Sequence, residues 1–77
     1  MARVAEEERF RRALGRRLAH LRRARGLVQV QIRDRARLTV EYVSMVENGH
    51  RIPTVLTLRD WGKVLGVSLS EMFRALP

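Results

Sequence analysis

The sequence predicts an all-α fold of five short helices, and three observations lead to it. Apolar residues recur at three- and four-residue spacing along most of the chain, Ser, Thr and Gly punctuate that pattern where helices would start and stop, and no stretch alternates apolar and polar residues convincingly as a half-buried strand would. At 77 residues the chain is too short for two cores, so residues 1–77 are expected to form one domain.

Taken in order, the first helix is expected from about residue 6 to residue 25, where only Gly15 interrupts good helix formers. Phe10, Leu14, Leu18 and Leu21 fall on one stripe, and Arg9, Arg12, Arg16 and Arg23 on nearly the opposite side. Glu6, Glu7 and Glu8 suit the helix start, where the dipole favours negative charge. Gly26 ends this helix, and Val28, Ile32 and Ala36 mark a second over residues 28–36. Thr39 can cap a third that runs to Asn48 and stops at Gly49. Pro53 and Thr54 open a fourth, whose Val55, Leu58, Trp61 and Leu65 share a face before Gly66. Ser68 to Glu71 has the capping-box pattern and starts a fifth helix, to about Ala75.

Sixteen Lys and Arg against eight Asp and Glu leave a net charge of +8, which suits a polyanionic partner. Only Lys63 is a lysine; the other cations carry fork-shaped guanidinium groups that match phosphate. With no cysteine, disulfides, thiolate metal sites and thiol nucleophiles are excluded. His20 and His50 stand apart, so no metal or cofactor is expected. No apolar run approaches the roughly 18 residues of a membrane span, and the opening decapeptide lacks a signal peptide's apolar region, so a cytoplasmic protein is expected. Ser44, Glu47 and a distant His lack a nucleophile elbow or oxyanion loop, which argues against an enzyme.

The third helix carries an anomaly. Tyr42, Val43 and Val46 lie on one side, whereas Val40, Glu41, Ser44, Met45 and Asn48 lie on the other, so Val40 and Met45 point away from the core. Chance exposure is one explanation; a surface that meets thymine methyl groups is the other.

The stretch from Leu18 to Phe73 resembles the Cro/CI-type, XRE-like helix-turn-helix family, which includes phage lambda repressor. The carriers are LRRARGLVQ (Leu21 to Gln29), LTVEYVSMVENG (Leu38 to Gly49), Pro53 and VLGVSLSEMF (Val64 to Phe73). The resemblance implies a lambda-repressor-like bundle whose third helix enters the major groove of double-stranded DNA. On the matching positions it implies that Val40, Glu41, Ser44 and Met45 face base edges, and that Gln29, Thr39, Asn48, His50 and Arg51 hold phosphates. It also implies a structural ion pair between Arg22 and Glu47, and a homodimer patch at Leu69, Met72 and Leu76, three residues that could instead close the core. Three positions depart from the family pattern: Val28 replaces a Ser or Thr cap, Arg33 a small alanine, and Arg37 a turn glycine. Arg33 must then turn outward or splay the helices, and Arg37 must accept a strained or altered turn.

The function expected is a sequence-specific transcriptional regulator, a repressor or a restriction-modification controller, bound as a homodimer to a palindromic operator. The alternatives are an antitoxin and a protein-interaction module that has lost DNA readout, for which Arg33 and Arg37 would speak. Membrane-surface binding through the basic first helix is disfavoured by its three glutamates. No small-molecule ligand is indicated.

Overall fold

A computed structural model describes residues 2–77. Among them the chain forms five helices and no strand: α1 (Ala2–Ala24), α2 (Gln29–Ala36), α3 (Val40–Glu47), α4 (Val55–Leu65) and α5 (Leu69–Met72). α1 packs on α3 and α5, α2 on α3 and α4, and α4 on α5. Every helix contributes to one core: Leu14 and Leu18, Ile32, Val43 and Val46, Leu58, Trp61 and Leu65, and Met72.

Helix starts follow from local chemistry. The hydroxyls of Thr39, Thr54 and Ser68 accept from the backbone N–H three residues on, at 3.0–3.1 Å. Val28 has no side-chain acceptor to offer, so α2 begins with only the reciprocal half of a capping box, in which Gln31 Oε1 accepts from the Val28 N–H at 2.8 Å. α1, α3 and α4 each end on a glycine of positive φ, whereas α2 ends on Arg37 at φ 57° and ψ 47°. The arginine is thus accommodated in the left-handed conformation, and the Leu38 N–H still reaches the Arg33 carbonyl at 2.9 Å to close the helix end.

Arginines of α1 and its C-terminal flank fasten other helix ends. Arg11 donates to the Gly49 carbonyl beyond α3, Arg17 to the Glu71 carbonyl in α5, and Arg25 to the Leu65 carbonyl at the end of α4. Cations there meet orphan carbonyls and the negative end of each helix.

Several expectations are corrected. α1 starts at Ala2 rather than near Glu6, because nothing in its first residues breaks a helix; Glu7 and Glu8 therefore pair with Arg3 and Arg12 instead of capping the start. α5 is one turn and stops at Met72, and Ala75 lies at φ 63°, outside any helix. Val55, in the first turn of α4, is exposed rather than part of the core face. Phe73 is also exposed, its ring lying 6.4 Å from that of Phe10. Met72, expected at a dimer patch, is fully buried. Gly62 lies beside it: a Cβ there would come 2.8 Å from the Val67 carbonyl oxygen and 3.2 Å from Met72 Cε, so its absence lets this segment and the methionine pack close. Leu69 and Leu76 pack partly against the same core.

Candidate nucleic-acid interface

The eight residues of α3 divide as their spacing requires. Val43 and Val46 are in the core, whereas Glu41, Met45 and the C-cap Asn48 are exposed, with Val40 and Ser44 at the boundary. An apolar side chain, a carboxylate, a hydroxyl and a thioether thus share one outward face, a mix able to meet both polar and methyl groups in a major groove. Asn48 Nδ2 donates to Ser44 Oγ at 3.3 Å, joining the last of these residues to the C-cap.

Donors gather around that face. Thr39 spends one lone pair on its cap and keeps its hydroxyl hydrogen for an external acceptor. His50 and Arg51 are exposed just beyond α3, and the Arg51 guanidinium stands 5.7 Å from the centre of the Tyr42 ring. With no side-chain cap from Val28, the first turn of α2 presents amide donors beside Gln29. One hydrogen of the Gln29 amide is committed, since Nε2 donates to Glu47 Oε1 at 3.0 Å; the other remains available.

Behind the face, Arg22 and Glu47 form a buried two-bond pair, Nε to Oε2 at 2.7 Å and Nη2 to Oε1 at 2.9 Å. Arg22 Nη1 also donates to the Leu27 carbonyl at 2.9 Å. One carboxylate therefore joins the end of α1, the start of α2 and the end of α3. Close backbone approach makes the joint possible. A Cβ on Gly15 would lie 2.5 Å from the carbonyl oxygens of Val46 and Glu47.

The departures at Arg33 and Arg37 leave α2 packed on α3. Arg33 turns outward and donates to Asp34 Oδ1 at 2.7 Å. That hydrogen bond holds the Asp34 carboxyl below its ordinary value, and the Glu41 charge adds a minor stabilisation of the Arg33 cation. The residue missed in the sequence is Arg11, which touches the loop after α3. Its signal was present: Arg11 lies one turn before Gly15, on the same face of α1.

Residues 18–72 match the helix-turn-helix family. The chain is 40% identical over 63 residues to an uncharacterized HTH-type transcriptional regulator of Sinorhizobium fredii, covering 82% of each chain. Its structure is similar, with a TM-score of 0.76 and 30% identity, to that of a restriction-modification controller protein from Aeromonas hydrophila, over 90% of this chain and 98% of the other. Among the described residues no helix is long and apolar enough to cross a membrane. The chain belongs to the XRE-type helix-turn-helix family, whose members regulate transcription by binding DNA and are not enzymes.

Proposed function

We propose that the chain binds a palindromic operator as a homodimer, as a repressor or a restriction-modification controller acting in the cytoplasm. The outward face of α3 carries this reading: Val40, Glu41, Ser44 and Met45 read bases, while Gln29, Thr39, Asn48, His50 and Arg51 hold the flanking phosphates. The similarity to a restriction-modification controller supports the controller form. For the dimer, Leu69 and Leu76 remain candidates and the exposed Phe73 takes the place of the buried Met72. A two-fold dimer would set its recognition helices about 34 Å apart, one turn of DNA.

Selection of bound sequences from a random duplex pool tests the reading: a two-fold symmetric consensus is expected, with sedimentation showing two chains per duplex. A consensus without symmetry, or one chain per duplex, would contradict it. Glu41 tests the readout. A carboxylate can only accept, mainly from cytosine N4, so Glu41→Ala should relax preference at one base pair by about 1–3 kcal/mol and leave the salt slope nearly unchanged. A uniform gain of affinity across single-base operator variants would instead show that Glu41 merely repels phosphate.

A further inference from the structure

Between residues 9 and 25, and Arg23 at the end of α1 apart, the arginines of α1 and its C-terminal flank divide into two sets. Arg11, Arg17, Arg22 and Arg25 each donate to a backbone carbonyl within the fold. Arg9, Arg12 and Arg16 do not. They lie exposed at i, i+3 and i+7 on one face, and among the described residues only Arg12 has a partner, Glu8 at 3.6 Å on the surface. Such a pair is weak and salt-screened.

Two shallow clefts lie on this face, and the second reaches the segment after α3. One, of about 320 Å³, is lined by Ala5, Glu8, Arg9, Arg12 and Arg16. The other, of about 230 Å³, is lined by Glu8, Arg11, Arg12, Asn48, Gly49 and His50. They share Glu8 and Arg12, so a surface with Glu8 as its one acid adjoins the proposed phosphate contacts after α3. The approach is fixed by backbone, since a Cβ on Gly49 would lie 3.0 Å from Arg12 Cα. These arginines precede residue 18, where the family match begins, so the match assigns them nothing.

We propose that Arg9, Arg12 and Arg16 form a phosphate-binding rail that extends the DNA contact from the end of α3 onto the flanking backbone, without reading sequence. From Arg9 to Arg16 the helix rises about 10 Å, about three axial steps of roughly 3.4 Å, which span four phosphates on one strand. Three long guanidinium side chains spread over that length can reach phosphates within such a span. The inference deepens the function proposed above, and rests on it only for the presence of DNA.

The test uses the full chain and a mixed-sequence duplex of about 30 base pairs, long enough to span both half-sites and their flanks, with binding followed by fluorescence anisotropy at several salt concentrations. Because log K falls by about 0.9 per phosphate contact for each unit of log salt, the variant Arg9→Gln/Arg12→Gln/Arg16→Gln should flatten the slope by about 2–3. Arg9→Gln/Arg16→Gln, which leaves the residue beside Gly49 untouched, should flatten it by about 1–2. A matched variant, Arg59→Gln/Lys63→Gln/Arg74→Gln, removes equal charge from α4 and the C-terminal turn and should change it by less than about 1. Unchanged slopes in both rail variants, or equal flattening in the matched variant, overturn the rail. The two readings fail separately: selection that yields no symmetric consensus sinks the operator reading, while the slopes on mixed-sequence DNA still decide the rail.

Discussion

Before α3 the chain turns through Arg37 at φ 57° and carries the Arg33–Asp34 pair at 2.7 Å; after α3 it turns through Gly49 at φ 81°, beside the Arg22–Glu47 pair, also at 2.7 Å. The two ends use the same devices in different surroundings. The Arg33 and Asp34 side chains are 41% and 60% exposed, those of Arg22 and Glu47 only 9% and 5%. Water screens the first pair, whereas the second is made of buried charges that each need the other. The turns differ likewise. Arg37 is exposed and bears only a conformational cost, while a Cβ on Gly49 would meet the α1 backbone, 3.0 Å from Arg12 Cα and 3.2 Å from its nitrogen. Distance and dihedral angle alone therefore say little about worth. The end of α3 is set by the fold, and its beginning is set locally.

Breaking the buried pair should have the largest effect. Arg22→Ala strands the Glu47 carboxylate and frees the Leu27 carbonyl, and should cost about 3–5 kcal/mol in urea unfolding. The double variant with Glu47→Ala should cost less than the sum of the two single changes, since no charge is then left unpaired. An unchanged midpoint for Arg22→Ala would make the two ion pairs equivalent after all. Next comes Gly49→Ala, where left-handed strain and overlap with Arg12 together should cost about 2–4 kcal/mol, read as a lower melting temperature. Arg37→Gly runs the other way: it relieves the left-handed arginine and should stabilise by about 1 kcal/mol, raising the melting temperature by about 4–8 °C. A loss of stability there would show that the Arg37 side chain is held by something other than its backbone.

Asp34→Asn should have the smallest effect, with no measurable change in midpoint near neutral pH. Its carboxyl is held below the ordinary value, so whatever the Arg33 pair contributes is present above the unfolded-state pKa and fades as pH falls through the depressed folded one. The asparagine variant should lack that slight acid-side loss when unfolding is compared at neutral and acidic pH.

Particular residues show how far the sequence could be read. Thr39, Thr54 and Ser68 announced their helices because capping is local chemistry, and the alternation along Val43 to Asn48 assigned the outward face of α3 from periodicity alone. The start of α1 was misplaced because acidic residues suit a first turn without requiring it. Met72 was expected at a dimer patch and is buried for a tertiary reason: spacing on a single helical turn cannot decide which side chain packs beside Gly62. That glycine, on the helix face beside Trp61 and Leu65, was the clue. The loop contact of Arg11 depends on how closely α1 approaches α3, which Gly15 permits but does not by itself specify.

The carboxylate of Glu47 answers to Arg22 on one side and Gln29 on the other, so three helix ends share a single fastening. Pulling α2 away from α3 would break the Gln29 bond alone, because Arg22 on α1 would still hold the Glu47 carboxylate with two hydrogen bonds. The anchor of α3 therefore lies in α1 and in the core beneath it, with Leu18 and Trp61, more than in its partner α2. DNA that binds the outer face of α3 would stabilise the folded domain by linkage.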